Sequence, residues 1–491
     1  MYLRNIVIVA LLGILCACSH PPRESLRFGI AVMPVTLDPR YATDAASGRI
    51  NRLIYQQLVD FDEHALPQPS LASWEAIDPM HYRFVLNEPR PPFSDGSPVR
   101  AADIKATYDS VMDERNGSPL RSGLADVAAI TVIDDDTIDF ELKRPDPLFP
   151  GRLSLGILPE KRLASGHPFN RQPVGSGPFE VIGWPDESIL RLRRRRDGQT
   201  LEFVAVPDPT VRVLKLLRGE IDMVQNDLPP ELVQYLRGRP GVVVQEGRGS
   251  NFAYLGFNMR DPVTGNPAVR QAVAHALDRE GIIRYALGQT ARPAGALFPP
   301  EHWAGLQHVP GIGYDPSRAR RLLAEAGFGA GRRPRIVYKT SIDPVRLRLA
   351  TIIQQQLAEV GIEVELRSYD WGTFYADIRS GNFQMYSLMW VGAKLPEIFR
   401  YAFHSASLPP AGANRGFFVS TAADSLIEEA ERAQAVEAQV EPLRRLQEDL
   451  LEELPYVPLW YEDQVFAARA DVTGYKIATD GNYDSLERVT R

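Results

Sequence analysis

The first half of the chain carries runs of apolar and polar residues that predict short strands and amphipathic helices. Residues 26–32 and 81–86 have the composition and spacing of strands. Residues 129–133 and 137–142 form a second pair, and the three aspartates between them are typical of a tight turn. Residues 101–112 place apolar side chains at helical spacing, so strands and helices are expected to alternate here.

The second half has clearer boundaries, because an Asn or Asp followed by Pro precedes each of three apolar-periodic segments. The pairs at 266–267, 315–316 and 343–344 each predict a helix start, in which the first residue caps the helix and the proline occupies its first turn. A strand at 335–339 precedes the third helix, and a strand at 362–368 follows it. This order predicts a parallel strand–helix–strand unit, and hence an α/β fold class with mixed sheets.

The C-terminal region and the overall composition complete the picture of a large globular body. Two more helices are predicted to begin near Asp424 and Glu441, before a final strand region at 456–468. The 491 residues, 44% hydrophobic and 24% charged, suit about three domain-sized units. The formal net charge of -7 gives no overall basic field, so nucleic acid is not expected as a partner.

The N-terminus is similar to a bacterial lipoprotein signal peptide. Arg4 precedes an apolar stretch at 6–15, which is too short to span a membrane comfortably. The stretch ends at Leu15, and Cys16 and Ala17 then precede Cys18, as in the cleavage site of a lipoprotein. Residues 1–18 are therefore predicted to be a signal that ends at a lipidated Cys18, and residues 19–25 a linker. An ordinary hydrophobic anchor is the alternative. Either way the protein is expected in the cell envelope, facing the periplasm and tethered to the inner or the outer membrane.

Residues that carry catalytic or metal chemistry are sparse beyond this segment. The two cysteines, Cys16 and Cys18, leave the remainder of the chain without a thiol. The eight histidines include no HExxH pair, and the chain has no Walker A loop and no GxSxG elbow. We therefore expect no enzymatic activity, no protein-built metal site and no cofactor.

Nine short motifs follow one another in the order that is found in a known family. They are TLDP (36–39), YQQLVDFD (55–62), RFVL (83–86), FSDGSPVRAADI (93–104), GSGPFEVIGW (175–184), RGEIDM (218–223), NPAVRQAVAHALDRE (266–280), YDPSRARRLLAEAGF (314–328) and WVG (390–392). In this order they resemble the family 5 extracellular solute-binding proteins of ABC transporters, of the dipeptide, oligopeptide and nickel type. The resemblance runs from about Leu26 to the C-terminus.

The resemblance implies a two-lobed periplasmic-binding-protein fold of type II, cluster C, with an extra inserted domain. Lobe I would comprise residues 26–50, 171–262 and 462–491, the inserted domain residues 51–170, and lobe II residues 263–461. It also implies the function. A peptide or other small solute is captured as a monomeric receptor closes by hinge motion, and is delivered to ABC permease subunits in the membrane.

The resemblance also suggests which side chains bind the ligand. Asn251, Tyr254 and Asn258 lie in a strand that is rich in hydrogen-bonding groups and that lines the cleft in the family. Trp371 is expected beside the same lobe. Packing in the core is the alternative for Tyr254 and Trp371.

A second set of candidate ligand residues follows a predicted buried strand. Trp390 and Gly392 match the family, and Lys394 adds a cation. Peptide receptors of this family usually carry Asp at the position of Ala393, where it pairs with the α-ammonium of the peptide. His404 is a further candidate, with a structural hydrogen-bonding role as its alternative.

Ala393 makes a peptide with a free N-terminus an uncertain cargo, because an unpaired buried ammonium is costly. Asp44 or Glu397 are candidates to substitute for the missing carboxylate. A blocked peptide, an anionic conjugate or another solute are the alternative ligands. An alternative function also stays open, in which a receptor fold in the envelope serves as a sensor or a chaperone without import.

Overall fold

A computed structural model describes residues 25–308, 312–329 and 331–491. In this part of the chain there are seventeen strands and thirteen α-helices. The strands are β1 (Ser25–Ile30), β2 (Val59–Phe61), β3 (Pro67–Pro69), β4 (Ala72–Asp78), β5 (His81–Leu86), β6 (Val127–Val132), β7 (Thr137–Leu142), β8 (Phe179–Asp186), β9 (Ile189–Arg194), β10 (Thr200–Ala205), β11 (Met223–Gln225), β12 (Val242–Phe257), β13 (Ala291–Pro293), β14 (Arg335–Ser341), β15 (Glu363–Tyr369), β16 (Met385–Trp390) and β17 (Tyr456–Arg469). The helices are α1 (Ala45–Ile54), α2 (Ala101–Met112), α3 (Glu160–Ala164), α4 (Pro209–Leu217), α5 (Pro230–Arg237), α6 (Pro267–Ala276), α7 (Arg279–Tyr285), α8 (Pro316–Glu325), α9 (Pro344–Glu359), α10 (Trp371–Ser380), α11 (Glu397–Phe403), α12 (Thr421–Arg432) and α13 (Val436–Glu453).

The helix starts predicted from Asx–Pro pairs are confirmed. Asn266, Asp315 and Asp343 each accept a backbone N–H with the side chain, and the following proline opens α6, α8 and α9. Each cap satisfies a donor that the first helical turn leaves without a partner inside the helix. The parallel pairing of β14 with β15 around α9 is confirmed as well.

One mixed sheet of eleven strands runs through both lobes. Its order is β15-β14-β16-β12-β17-β11-β1-β10-β9-β8, and β13 pairs with β17. The long strands β12 and β17 join its two halves. Near one end β17 pairs with β11, which in turn pairs with β1, and near the other end β12 pairs with β16. The lobes are therefore connected through two adjacent antiparallel strands.

The two long strands are irregular where they pass from one lobe to the other. Their register shifts between Gly247 and Asn251, so residues 248–250 leave the regular ladder. A Cβ at Gly249 would lie 1.9 Å from the carbonyl oxygen of Glu462. Only glycine fits this close approach of two backbones.

A separate antiparallel sheet, in the order β4-β5-β7-β6, lies within the range 51–170 that the sequence predicts to be an inserted domain. Its buried aromatic residues Phe84 and Phe140 belong to the same apolar core as Phe28 and Phe203 of the large sheet. The segment therefore packs directly on lobe I. The exact domain boundaries stay predictions.

The last two helices differ in one boundary from the sequence prediction. α12 begins at Thr421, close to the predicted start, whereas α13 begins at Val436 and contains Pro442. An internal proline normally breaks a helix. Here Pro442 is buried, and Leu443 and Leu446 pack into an apolar core of lobe II, so tertiary packing outweighs the local cost.

Candidate functional site

A cavity of about 480 Å³ lies where the two lobes meet. Segments that are far apart in the sequence wall it, among them residues 60–65, 248–250, 393–394 and 476–480, and His302 lines it as well. The irregular segment 248–250 of β12 therefore lies directly at the cavity. A site of this kind, at the junction of two lobes, is the usual place for a small ligand.

A second cavity of about 700 Å³ lies on the other side of the segment 392–394. Residues 120, 122–126 and 151–152 supply one wall, and residues 392–395 with Glu397 supply the opposite wall. Ala393 and Lys394 line both cavities. Residues 392–394, which follow β16, thus separate the two cavities of a larger cleft, and we call this segment the partition.

Lys394 joins the two lobes at this partition. Its Nζ lies 2.7 Å from Oδ2 of Asp480, and 4.8 Å from the centre of the Phe61 ring. Burial alone would raise the pKa of Asp480, but the Lys394 ammonium and the Asn482 backbone N–H hold it below its usual range. In this conformation the positive charge of Lys394 is therefore neutralised by the Asp480 carboxylate.

His302 holds the backbone of Lys394 through a hydrogen bond. Its Nδ1 accepts the backbone N–H of Ala304 at 3.0 Å, so the proton of the neutral ring resides on Nε2, which donates to the Lys394 carbonyl oxygen at 2.8 Å. The ring stacks on Phe298 with the centroids 3.9 Å apart. Burial lowers the pKa of His302 to about 4, so the ring is neutral near pH 7.

Further ion pairs bind the walls of the first cavity to one another. Arg52 of α1 lies 2.8 Å from Asp60 and 2.8 Å from Asp484, which ties the C-terminal segment to the start of the inserted segment. Arg292 lies 3.0 Å from Asp463. These pairs restrict the side chains of Arg52 and Arg292 at the first cavity.

Three of the predicted ligand residues, Gly392, Ala393 and Lys394, line these cavities. Gly392 has a φ of +68°, which allows the chain to turn away from β16 into the partition. Trp390 ends β16 and lies 6.1 Å from the ring of Tyr401, which lines the second cavity.

Other predicted ligand residues have visible structural roles. Asp44 caps α1 by accepting the Ser47 N–H at 2.8 Å. Asn258 donates to the carbonyl oxygens of Gly381 and Phe383. His404 is buried and accepts the Ala406 N–H at 3.1 Å. The lining of the two cavities includes none of these three, and their roles in ligand binding stay predictions.

The remaining candidates lie in and around an aromatic cluster of lobe II. Tyr254 is buried and stacks on Tyr456 with the ring centroids 3.9 Å apart, and Asn251 is buried three residues before it on β12. Trp371 opens α10 and is 60% exposed. Tyr254 is thus packed in the core, whereas Trp371 is not. The ligand-binding roles of both residues stay predictions.

Asp480, His302 and Phe61 escaped the sequence reasoning, although they surround the key segment. They contribute to the site through contacts with Lys394 that span between 86 and 333 positions of sequence. Phe61 lies in the motif YQQLVDFD, which carried only the family resemblance, and His302 and Asp480 lie in none of the nine motifs. Of the two carboxylates considered as substitutes at Ala393, Glu397 lines the second cavity, and Asp44 does not line either cavity.

The lobes, the cleft between them and the two connecting strands define a two-lobed periplasmic binding protein of type II. Over residues 67–407 the chain matches the family described as bacterial extracellular solute-binding proteins, family 5 (middle). The match covers more than half of the chain, and the protein belongs to this family.

Relatives and solved structures agree with this assignment. The glutathione-binding protein GsiB of Escherichia coli (strain K12) is 25% identical over 471 residues, which are 91% of each chain. The fold is similar to that of NikZ from Campylobacter jejuni, in complex with Ni(L-His), with a TM-score of 0.82, 22% identity and coverage of 96% and 100% of the two chains. It is also similar to DppA from Helicobacter pylori, in complex with the peptide STSA, with a TM-score of 0.80, 25% identity and coverage of 95% and 97%.

Neither a membrane-spanning helix nor a cluster of metal ligands occurs in the part of the chain that the structure describes. Among the helices of residues 25–308, 312–329 and 331–491, we find none with the length and apolar character that a membrane crossing requires. Within the same ranges, no group of three or more His, Cys, Asp or Glu side chains is arranged to hold a metal ion. The predicted signal peptide, Cys18 and most of the linker lie outside the described residues.

Proposed function

We propose that this protein captures a peptide or peptide-like solute between its two lobes and delivers it to the permease of an ABC importer. The observation that carries the proposal is the cleft, whose walls come from both lobes and from the inserted segment. Membership of the solute-binding family supports the same role. The ligands of two relatives, glutathione for GsiB and the peptide STSA for DppA, support a peptide-like cargo.

Movement of the lobes about β12 and β17 is the proposed mechanism of capture. The two strands are adjacent, and their ladder is interrupted at 248–250, beside the cavity. A rotation there would open the cleft without disturbing either core. Closure would exclude water and so strengthen the polar contacts between the walls and the ligand.

The protein acts by binding and breaks no bond in its cargo. The charged side chains Arg52, Arg292 and Lys394 at the first cavity are paired with carboxylates of the protein itself. Such pairs position walls and do not supply a free acid, base or nucleophile to a bound solute. Turnover of a bound peptide would contradict this part of the proposal.

The protein is exported and acts in the envelope as a monomer. The N-terminal sequence supports a signal peptide of residues 1–18 and a lipid anchor on Cys18, with the folded body facing the periplasm. Metabolic labelling with a fatty acid tests the anchor, because replacement of Cys18 by Ala would abolish the label.

The cargo differs from an ordinary peptide at its amino end. Ala393 offers no carboxylate to an α-ammonium, and the neighbouring Lys394 is engaged with Asp480. We propose that the amine of the cargo is blocked, or that Glu397 in the second cavity receives it. Blocked peptides and anionic conjugates are the leading candidates.

Native mass spectrometry of the detergent-solubilised mature protein tests the function directly, because a captured solute would co-purify. Thermal unfolding in the presence of glutathione, di- to tetrapeptides and their N-acetylated forms extends the test. A ligand at about 100 times its Kd stabilises the folded state by about 2.7 kcal/mol. Absence of any bound solute, with no shift for any member of the panel, would refute capture of peptide-like cargo.

A receptor fold without import is the second candidate, and Ala393 is the observation that favours it. Uptake of the identified solute separates the two functions. Cells that lack this protein would lose uptake if it serves import, and would keep uptake if it acts as a sensor or chaperone.

A further inference from the structure

Five arginines are buried in the described part of the chain, and one of them differs from the rest. Arg194, Arg212, Arg270 and Arg279 each donate to three backbone carbonyl oxygens. Those acceptors compensate the cost of burying the guanidinium. Arg415 is equally secluded, with 7% of its surface exposed, but it has no such set of acceptors.

The surroundings of Arg415 are aromatic. Its Nη2 donates to the hydroxyl of Tyr375 at 3.0 Å, and its guanidinium lies 5.2 Å from the ring centre of Trp390 and 5.4 Å from that of Tyr375. Among the described residues, no carboxylate forms an ion pair with it. Because a guanidinium keeps its charge in proteins, the buried positive charge of Arg415 is stabilised by two ring faces and one hydroxyl, without a counter-charge.

Hydroxyl and indole groups surround this charge. The hydroxyls of Tyr386 and Tyr456 and the indole N–H of Trp390 are buried, and none has a partner at ordinary hydrogen-bond distance among the described residues. They lie close enough to interact with one another and with the Tyr254 hydroxyl, and within the described ranges they have no acceptor besides these groups. Burial raises the pKa of Tyr386 and of Tyr456, and the positive charge of Arg415 offsets part of that rise, which places the hydroxyls within its field. The cluster therefore combines one cation with several donors.

The Trp390 end of the cluster lies at the edge of the sheet where ligands bind in α/β proteins, whereas Tyr386 and Tyr456 lie near the starts of β16 and β17. β14 is parallel to both β15 and β16, so the carboxyl ends of all three strands share one edge. Trp390 ends β16 there, two residues before Gly392 lines the cleft. Trp371 and Tyr375, which follow β15, stack at 5.4 Å beside the guanidinium. Ligands bind outside the carboxyl ends of such strands.

We propose that Arg415, with the hydroxyls of Tyr386 and Tyr456 and the indole N–H of Trp390, forms an anion subsite that takes a carboxylate group of the cargo. A carboxylate accepts several N–H and O–H bonds at once and pairs with the planar fork of an arginine. It would satisfy the donors and neutralise the buried charge together. The identity of the anion as part of the cargo rests on the proposed function, whereas the subsite itself does not.

The first experiment uses acetate alone, titrated against chloride at constant ionic strength, with tryptophan fluorescence and thermal unfolding of the mature protein as readouts. We expect saturable stabilisation by acetate and a fluorescence change that Trp390→Phe removes. Tyr456→Phe keeps the ring that stacks on Tyr254 and deletes one donor, so it should fold normally and weaken acetate binding about tenfold. Arg415→Gln should abolish binding.

Tyr461→Phe is the matched control, because this tyrosine lies on the same strand and its hydroxyl donates to the carbonyl oxygens of Ala296 and Phe298. We expect it to lower stability and to leave acetate binding unchanged. Absence of saturable binding in the wild type overturns the subsite, and so does unchanged binding in Tyr456→Phe. If Arg415→Gln does not fold, the Tyr456→Phe result decides alone.

The second experiment compares the identified cargo with its carboxyl-amidated form. Amidation should weaken binding to the wild type about tenfold or more, and it should weaken binding to Tyr456→Phe by a smaller factor, because the carboxylate has already lost one donor there. If the cargo binds the wild type and Tyr456→Phe equally well, its carboxylate does not bind at this subsite. The proposed function would still stand. If acetate binds saturably but no solute co-purifies with the protein or stabilises it, the subsite is supported and the proposed function is refuted.

Discussion

Nζ of Lys394 in lobe II lies 2.7 Å from Oδ2 of Asp480 in the C-terminal segment. The two residues belong to walls that face each other across the cavity, and both are largely buried. The pair therefore connects the lobes beside the position where the family carries its amine-binding carboxylate. The same pair would thus hold the cleft closed and adjoin the position at which the cargo is proposed to differ from an ordinary peptide.

Loss of this ion pair should favour the open form. Lys394→Met leaves Asp480 partly buried without its counter-charge, which we expect to cost about 1–2 kcal/mol of closure. Small-angle scattering should report a larger radius of gyration without cargo, and calorimetry a weaker affinity for cargo. Arg193→Met, which removes the partner of Glu180 outside the cleft, is the control. Identical scattering of Lys394→Met and the wild type would count against the role of the pair in closure.

Ala393→Asp should restore recognition of a free amine. The new carboxylate stands where peptide receptors of the family carry Asp, and a charge-assisted hydrogen bond to an ammonium should improve affinity for a free-amine peptide about tenfold relative to its N-acetyl analogue. Isothermal calorimetry with both peptides measures the ratio. Ala393→Asn, of the same size but without charge, should leave the ratio unchanged. An unchanged ratio in Ala393→Asp would show that the amine binds elsewhere.

His302 should make stability depend on pH. Burial lowers the pKa of His302 to about 4 in the folded protein, below the ordinary value of 6.5. As pH falls, the unfolded chain therefore binds the proton first, so the free energy of unfolding should decrease between pH of about 6.5 and about 4, by up to about 3 kcal/mol. Above that range this contribution is fully present. Urea denaturation across the range measures it.

His302→Gln should flatten the pH dependence, since the amide can still donate to the Lys394 carbonyl oxygen and does not titrate. His64→Gln is the control, because His64 is exposed. Equal pH profiles for the wild type and His302→Gln would contradict the assignment of the effect to this residue.

Gly249→Ala should strain the connection between the lobes. The added Cβ would lie 1.9 Å from the Glu462 carbonyl oxygen, so the two long strands must separate, at a cost of about 2–4 kcal/mol. Thermal unfolding measures the loss. Gly183→Ala is the control, because its Cβ would meet its nearest neighbour at 4.0 Å. A Gly249→Ala protein as stable as the control would mean that the strands separate at little cost.

Local sequence determined much of the architecture. The capping residues Asn266, Asp315 and Asp343 set their helix starts through bonds to amides two or three residues away, and such short-range chemistry is visible in the sequence. Pro442 marks the limit of the same reasoning. Its place inside α13 depends on apolar contacts with residues distant in the chain, which no local propensity contains.

The family, the α/β class and the missing carboxylate at position 393 are all properties of residue order, so the sequence by itself determined them. Only the tertiary structure decided that Lys394 meets Asp480 and that His302 holds the partition. It also decided that Arg415 is buried among donors and not among carbonyl oxygens. The physical reason is that these relationships depend on how strands and loops far apart in sequence converge on one cleft, and the energies of such contacts depend on burial that residue order does not specify.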